Sequence, residues 1–259
     1  MSDAMNTETL FKVENLKKVF EIRSEFGERK RISAVDGVNL EIYKGETLGI
    51  VGESGCGKTT LGKLIIRLIE PTEGKIYYRN IDITNLREKE LRRLRKKFQI
   101  IFQDPYKSLN PRIRVGYSIL EGMDRKLRNE EKAKELLEIV GISREKFYNF
   151  PHQFSGGERQ RISIARALST DPEFIVCDEP TSNLDLSIQA QILNLFMELK
   201  EKFSLTYLFI SHDLKVIEFV SDRIAVMYNG KIVEIGPAER IIREPSHPYT
   251  KSLIKSAFK

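Results

Sequence analysis

Hydrophobic residues recur with two different spacings along this chain, and these spacings predict its strands and its helices. Alternation of apolar and polar residues predicts half-buried strands in the N-terminal part, at 11–16, 35–42 and 74–78. Uninterrupted apolar runs predict strands that are buried on both faces, as the strands of a parallel sheet are. These runs lie at 47–51, 99–102, 174–177 and 205–210.

Helical spacing dominates the chain from about 118 to 167 and returns at Ile188, Ile192, Leu195 and Leu199. Asn229-Gly230 separates two short apolar segments, which predicts a hairpin. Strands that alternate with helices indicate an α/β fold. We expect a parallel core sheet, an antiparallel β subdomain and an inserted helical subdomain at about 104–168.

The length fits one large α/β domain or two small ones, and we expect a single domain with a C-terminal segment at about 237–259. The 259 residues are 41% hydrophobic and 31% charged, with a net charge of +6, and they are enough to bury a core. No apolar run approaches the ~18 residues of a membrane span, and no signal peptide follows Met1. We therefore expect the chain on the cytosolic side, where any membrane role requires a partner chain.

The basic stretch at 87–97 raises the question of nucleic-acid binding. Leu86, Leu91 and Leu94 give this stretch one apolar face, so we interpret its charges as the solvated face of an amphipathic helix. Contact of these charges with anionic lipid or with a membrane subunit stays open. No aromatic platform accompanies them, and we expect no nucleic acid among the partners.

A glycine-rich sequence after the apolar run 47–51 predicts a nucleotide site. It fits the pattern G-x-x-x-x-G-K-[ST] and consists of Gly52, Glu53, Ser54, Gly55, Cys56, Gly57, Lys58, Thr59 and Thr60. In such a loop, backbone N–H groups and the next helix N-terminus surround phosphate oxygens. Lys58 can then reach the β- and γ-phosphates, and the Thr59 hydroxyl can ligate Mg²⁺. The motif predicts a P-loop NTPase core that binds a nucleoside triphosphate.

The apolar run 174–177 is followed by two carboxylates, Asp178 and Glu179. At the end of a strand beside a phosphate loop, Asp178 can hold Mg²⁺ through water. Glu179 points away from its neighbour on a pleated strand, so it can polarise the water that attacks the γ-phosphate. The alternative is a strand that simply ends in polar residues.

A second glycine-containing motif precedes a helical pattern that runs to Leu168. It contains Ser155, Gly156, Gly157, Glu158, Arg159 and Gln160. Ser155 is a suitable N-cap, and Glu158 completes a capping box with it. The exposed N–H groups of such a helix start can bind a second anion. An ordinary capped helix without a ligand is the alternative.

These motifs, in this order, resemble those of the ABC-type ATPases over nearly the whole chain. The resemblance implies ATP as the nucleotide, and it implies that Gln103 ligates Mg²⁺ and senses the γ-phosphate, which His212 also contacts. Asp185 matches the family's D-loop, and Phe20 matches the aromatic residue that stacks on adenine. For His212 the alternative is a structural histidine, and for Phe20 a core or surface phenylalanine.

Two further segments resemble the peptide-importing branch of that family. They are the extended sequence 103–111 after the Gln103 strand, and 247–251, with the sequence His-Pro-Tyr-Thr-Lys. Many members of this branch carry a cysteine-containing extension that holds an iron–sulfur cluster. This chain lacks those cysteines, since Cys56 and Cys177 both lie in nucleotide motifs, and we expect no iron–sulfur cluster.

The resemblance implies a dimer in which two such subunits sandwich two ATP molecules, each phosphate loop facing the partner's Ser155, Gly156 and Gly157. Glu158 and Gln160 belong to the same expected partner-site signature. The other expected partners are membrane permease subunits and, indirectly, an extracellular solute-binding protein. The chain would then lie peripherally on the cytoplasmic face of the membrane. Alternatives are an importer of nickel or oligosaccharide, a soluble ABC ATPase acting on ribosomes or DNA, and a non-hydrolysing sensor.

The segment after Gln103 is expected to couple the ATP state to the permease. A loop in this position can move when Gln103 gains or loses its Mg²⁺ contact. Tyr106, Leu109 and Ile113 are the apolar candidates for contact with a cytosolic helix of the permease.

Overall fold

The structure is a computed structural model that describes residues 8–23, 29–104, 108–126 and 128–257. The chain divides into two compact units, one formed by Met1–Arg93 with Thr206–Lys259 and the other by Leu94–Leu205. The strands are β1 (Thr9–Arg23), β2 (Arg29–Tyr43), β3 (Thr47–Val51), β4 (Glu73–Tyr78), β5 (Ile81–Asp82), β6 (Phe98–Ile101), β7 (Phe174–Asp178), β8 (Thr206–Ile210), β9 (Arg223–Tyr228) and β10 (Lys231–Pro237). The α-helices are α1 (Lys58–Ile65), α2 (Glu88–Leu94), α3 (Val115–Gly122), α4 (Glu130–Ile139), α5 (Gly156–Leu168), α6 (Leu186–Phe203), α7 (Leu214–Val220), α8 (Ala238–Arg243) and α9 (Pro248–Ala257).

The first unit contains the predicted antiparallel sheet, in the order β2-β1-β4-β5. Val13 of β1 lies opposite Leu40 of β2 on one side and Ile76 of β4 on the other. All three side chains are buried, which is the reason for the alternation seen in the sequence. The predicted strands are confirmed, although β1 and β2 extend well beyond the predicted limits.

The same unit contains a second, mixed sheet with β3 at its centre. β3 pairs in parallel with β8 and β9, and β10 pairs antiparallel with β9. Every residue of β3 and β8 is buried, so these strands read as continuous apolar runs. The β9–β10 hairpin is confirmed, and its tip residues Asn229 and Gly230 both have positive φ, as a tight hairpin turn requires.

The second unit contains the parallel pair β6–β7, with Ile100 opposite Val176, and helices α3 to α6. Two 3₁₀ helices, Arg144–Tyr148 and Pro151–Gln153, connect α4 to α5. The predicted helical stretch is thereby confirmed. In α6 the predicted apolar positions Ile192, Leu195 and Leu199 are buried. None of the helices in the described ranges is both long enough and apolar enough to cross a bilayer.

Candidate functional site

The glycine-rich loop joins β3 to α1 in the first unit, so it has the strand–loop–helix context that its motif requires. Gly52 and Gly57 have φ values of 157° and 111°. A Cβ on Gly52 would lie 2.1 Å from the Met227 carbonyl oxygen, and one on Gly57 would lie 2.0 Å from that of Ala34. The loop therefore follows a path between two backbone segments that only glycine permits at these positions.

Lys58 lies in the first turn of α1 and is buried. Its Nζ donates hydrogen bonds to the carbonyl oxygens of Gly52 at 2.7 Å and Glu53 at 2.9 Å. These bonds fold the lysine back along the loop and fix its ammonium group beside the loop backbone. Thr59 and Thr60 follow in the same turn and are half-buried.

The remaining loop residues differ in exposure. Glu53, Ser54 and Gly55 are exposed, whereas Cys56 is buried. Burial raises the pKa of the Cys56 thiol, so this cysteine is a neutral thiol at physiological pH. Burial also raises the pKa of the Cys177 thiol well above its ordinary value, with a further contribution from Asp178.

The loop also contacts the C-terminal helix of its own unit. The Tyr249 hydroxyl accepts a hydrogen bond from the backbone N–H of Glu53 at 3.1 Å. Sequence reasoning noticed the motif that contains Tyr249 but gave it no role in the site, because a contact across 196 positions leaves no local pattern. The one sequence signal for this contact was a tyrosine in the motif at 247–251, to which no role in the site had been assigned.

In the second unit, β7 ends at Asp178, whose side chain is buried. Glu179 follows with a φ of 48° and is half-buried. This differs from the expectation that Glu179 continues the pleat, because a left-handed residue ends the strand and turns the chain. The Gln103 side-chain amide donates to Glu179 Oε2 at 3.1 Å and to the Ser182 hydroxyl at 3.2 Å.

The predicted capping box at the start of α5 is confirmed. The Ser155 hydroxyl accepts from the Glu158 N–H at 3.3 Å, and the Glu158 carboxylate accepts from the Ser155 N–H at 2.9 Å. Lys146 also donates to this carboxylate, and this bond, with the Ser155 N–H, lowers the pKa of Glu158. Ser155 itself is exposed at the end of the helix.

The other residues of this motif differ in how deeply they are buried. Gly157 is buried, and a Cβ there would lie 2.5 Å from a methyl carbon of Ile188, so it lets α5 pack closely on α6. Gln160 has 0% exposure, and its side-chain amide has no hydrogen-bond partner among the described residues. Within this motif, Gly157 and Gln160 are thus buried, whereas Ser155 is exposed and Gly156 is half-buried.

Asp185, His212 and Phe20 lie at element ends or on an exposed strand. The Asp185 carboxylate accepts from the Ile188 N–H at 3.0 Å and so caps α6. His212 is exposed, two residues after the end of β8. The Phe20 ring is 39% exposed, with Lys18 Nζ 5.2 Å from its centre.

The candidate metal ligands are of mixed type. No group of three or more histidine, cysteine, aspartate or glutamate side chains that could hold a metal ion is found in the described part of the chain. The predicted Mg²⁺ ligands are instead one hydroxyl (Thr59), one amide (Gln103) and one carboxylate (Asp178). Each of these side chains can offer an oxygen atom as a ligand. Mg²⁺ usually binds only one or two protein carboxylates, because phosphate oxygens and water complete its coordination shell.

The three apolar residues that were expected to contact a permease helix differ in what the structure shows of them. Leu109 is 3% exposed, so the expectation that its side chain is available to a permease is wrong. Ile113 is half-buried. Tyr106 lies outside the described residues.

A glycine-constrained phosphate loop between a buried strand and a helix defines a P-loop nucleotide-binding protein. Residues 35–182 match the family model described as "ABC transporter", and residues 233–259 match the one described as "Oligopeptide/dipeptide transporter, C-terminal region". The chain belongs to the ABC transporter family, as an ATPase cassette with the C-terminal region of the oligopeptide/dipeptide transporters.

Individual relatives agree with this assignment. The chain is 51% identical to the oligopeptide transport ATP-binding protein OppF of Bacillus subtilis (strain 168), over 96% of this chain and 83% of that protein. It is 47% identical to the dipeptide transport ATP-binding protein DppF of Lactococcus lactis subsp. cremoris (strain MG1363), over 93% and 81%. Among solved structures, the dimeric bacterial ABC transporter cassette MJ0796 has a TM-score of 0.77 at 30% identity, over 88% of this chain and 99% of that one. The predicted fold class and family are confirmed.

Proposed function

We propose that this chain hydrolyses ATP to power a membrane importer of oligopeptides or dipeptides. The main support for this proposal is the match of residues 233–259 to the oligopeptide/dipeptide transporter C-terminal region. The phosphate loop alone would not distinguish a peptide importer, because other ABC ATPases share it. The relatives named for oligopeptide and dipeptide transport support it over nearly the full chain.

Nucleotide binding rests on the phosphate loop. The Lys58 ammonium has three N–H donors. Two bind the carbonyl oxygens of Gly52 and Glu53, and the third places its charge on the β- and γ-phosphates, while residues 52 to 60 surround them. Phe20 offers an exposed ring face to the adenine. Thr59, Asp178 and Gln103 would hold Mg²⁺, which would neutralise charge on the phosphate oxygens.

Hydrolysis rests on Glu179, whose carboxylate accepts a proton from the attacking water. Gln103 donates to that carboxylate, so its amide orients the base as well as sensing the γ-phosphate. His212, exposed after β8, contacts the γ-phosphate. The residues orient the water and stabilise charge, which is most of what phosphoryl transfer needs from a protein.

The working form is a dimer with a second ABC ATPase subunit, identical or similar. Ser155, Gly156, Gly157 and Glu158 at the α5 N-terminus face the nucleotide of the partner, and Asp185 borders the same surface. The cassette MJ0796, described as dimeric and bound to ADP and Pi in one of its structures, supports this arrangement. The dimer lies on the cytoplasmic face of the membrane, against permease subunits that receive peptide from an extracellular binding protein.

The decisive experiment is purification of the membrane complex with this chain as bait, followed by reconstitution in lipid vesicles. We expect permease subunits to copurify, and we expect ATP turnover to rise with peptide and its binding protein. Nickel and oligosaccharides serve as competing solutes, and a complex carrying Glu179→Gln serves as the inactive control. Recovery of ribosomes or DNA in place of permeases, or turnover that responds only to another solute, would reject the peptide importer.

A further inference from the structure

The C-terminal helix α9 places one side chain against the phosphate loop. Tyr249, in its first turn, accepts the Glu53 N–H at 3.1 Å. Its ring lies 4.2 Å from the ring of Tyr228, at the end of β9. The hairpin that carries Tyr228 also contacts the loop, because the Gly230 N–H donates to the Cys56 carbonyl at 3.0 Å. Tyr249 is thus held on one side by the hairpin and meets the loop with its hydroxyl.

The hydroxyl of Tyr249 and the ammonium of Lys58 bind opposite ends of one peptide group. The N–H of Glu53 and the carbonyl of Gly52 belong to the same planar unit. The N–H donates to Tyr249, and the carbonyl accepts from Lys58 Nζ at 2.7 Å. Because a peptide group is rigid and planar, fixing the direction of its N–H also fixes the direction of its carbonyl. Bonds at both ends of one amide also polarise each other.

The start of α9 is anchored by a buried carboxylate on β10. Glu234 has a side chain that is 6% exposed. It accepts the N–H groups of Ser246 at 2.9 Å and His247 at 3.0 Å, and Arg240 lies 3.7 Å away. Tyr249 therefore extends from a fixed helix end, so it can hold the loop and does not merely follow it.

The phenol takes part as a neutral group. Burial raises the pKa of the Tyr249 hydroxyl above its ordinary value of 10.0. The contact with Glu53 is thus a hydrogen bond without a formal charge. Replacing the tyrosine by phenylalanine removes this bond and keeps both the ring stack and the charge of the site.

We propose that Tyr249 is a positioning residue for ATP binding. The Tyr249 hydroxyl fixes the orientation of the Gly52–Glu53 peptide group, and thereby of the Gly52 carbonyl that accepts from Lys58. It therefore determines the position from which the Lys58 ammonium contacts the phosphates. This rests on the proposed role of Lys58 in binding phosphate. It gives the C-terminal segment a function in the nucleotide site of its own subunit.

The test is Tyr249→Phe in the full chain, with Tyr228→Phe as the matched control. The control removes a hydroxyl from the neighbouring ring and leaves the bond to Glu53 in place. Loss of one hydrogen bond should weaken ATP affinity and raise KM roughly threefold to tenfold. Turnover at saturating ATP should stay within about twofold, because the loss affects ground and transition states alike. The melting temperature should not shift, and Tyr228→Phe should match the wild type.

A double-mutant cycle separates positioning from a general effect on folding. On a Lys58→Ala background, Tyr249→Phe should cause no further loss of ATP affinity, because the hydroxyl acts through that lysine. Unchanged affinity in the single variant, or an equal loss on both backgrounds, would overturn the inference. Failure of the proposed function is distinguishable, because ATP affinity is measured on the purified chain without permease or peptide, so a different solute or partner would leave this comparison unchanged.

Discussion

Glu179 occupies a backbone conformation that residues with side chains rarely adopt. Its φ of 48° costs about 1–2 kcal/mol relative to the right-handed region, and such strain is often retained where it orients a functional group. Here it turns the chain directly after β7, and the carboxylate then meets the Gln103 amide. This position of the carboxylate is compatible with its proposed role in hydrolysis.

Replacing Glu179 by glutamine should separate binding from hydrolysis. Glutamine keeps the size and reach of the side chain but cannot accept the proton of the attacking water. We expect Glu179→Gln to bind ATP about as well as the wild type and to hydrolyse it at least ~100-fold more slowly. Nucleotide titration and phosphate release measure the two properties. The contrasting variant is Lys58→Ala, which should lose affinity itself; wild-type turnover by Glu179→Gln would remove Glu179 from the proposed role.

The residues of the phosphate loop could be identified from sequence because the motif is local. Its glycines, Lys58 and Thr59 act within one strand–loop–helix unit, and each residue type has a separate chemical reason. The burial of Gln160, the left-handed turn at Glu179 and the contact of Tyr249 could not be predicted in this way. Each depends on segments distant in sequence, which fix exposure and backbone direction only after packing.

At the scale of elements, continuous apolar runs and capping residues gave the most reliable predictions. The run at 174–177 and the strand β7 nearly coincide, because a strand buried on both faces needs no polar positions. The start of α5 was predicted from Ser155 and Glu158, whose mutual bonds are formed within four residues. The lengths of β1 and β2 were underestimated, since residues in their extensions, such as Phe20 and Ile32, are exposed and do not follow the apolar alternation.

The attachment of α9 to β10 should depend on pH through Glu234. Burial alone would raise the pKa of this carboxyl, but the N–H groups of Ser246 and His247, together with Thr250 and Arg240, outweigh it, and the pKa lies below the ordinary value of 4.5. A depressed pKa stabilises the folded state above that ordinary value, and the contribution is lost as the pH falls through the folded pKa. The protection factor of the α9 amides, which corrects for the intrinsic pH dependence of exchange, should therefore fall below about pH 4.5 and stay constant between about pH 5 and 7.

Glu234→Gln tests this carboxylate directly. The amide offers one acceptor oxygen for the two N–H donors of Ser246 and His247, so we expect a loss of about 1–2 kcal/mol in the local stability of α9. The acid dependence should also disappear. Glu239→Gln is the matched control, since Glu239 forms an exposed pair with Arg243, and such pairs contribute little. Unchanged exchange in Glu234→Gln would show that another contact anchors the helix.

At the scale of the whole molecule, the order of motifs identified the family, because ABC ATPases carry the same sequence of loop, glutamine, signature and carboxylates. The comparisons agree over residues 35–182 and 233–259. Subunit assembly cannot be obtained in this way from one chain. The α5 N-terminus has chemistry suited to a second subunit: Ser155 is exposed, and the helix start favours an anion.

Dimerisation should therefore require both ATP and a neutral residue at position 155. In Glu179→Gln the uncleaved γ-phosphate is expected to join Lys58 to the Ser155 of the other subunit, so Mg-ATP should double the mass seen by size-exclusion chromatography with light scattering. Adding Ser155→Asp keeps a good N-cap but sets a negative charge against the phosphate, and it should abolish the dimer. Adding Ser155→Asn keeps the cap without the charge and should preserve dimerisation at least in part. If all three proteins dimerise equally, or none responds to ATP, the helix start of α5 does not bind the nucleotide of a partner.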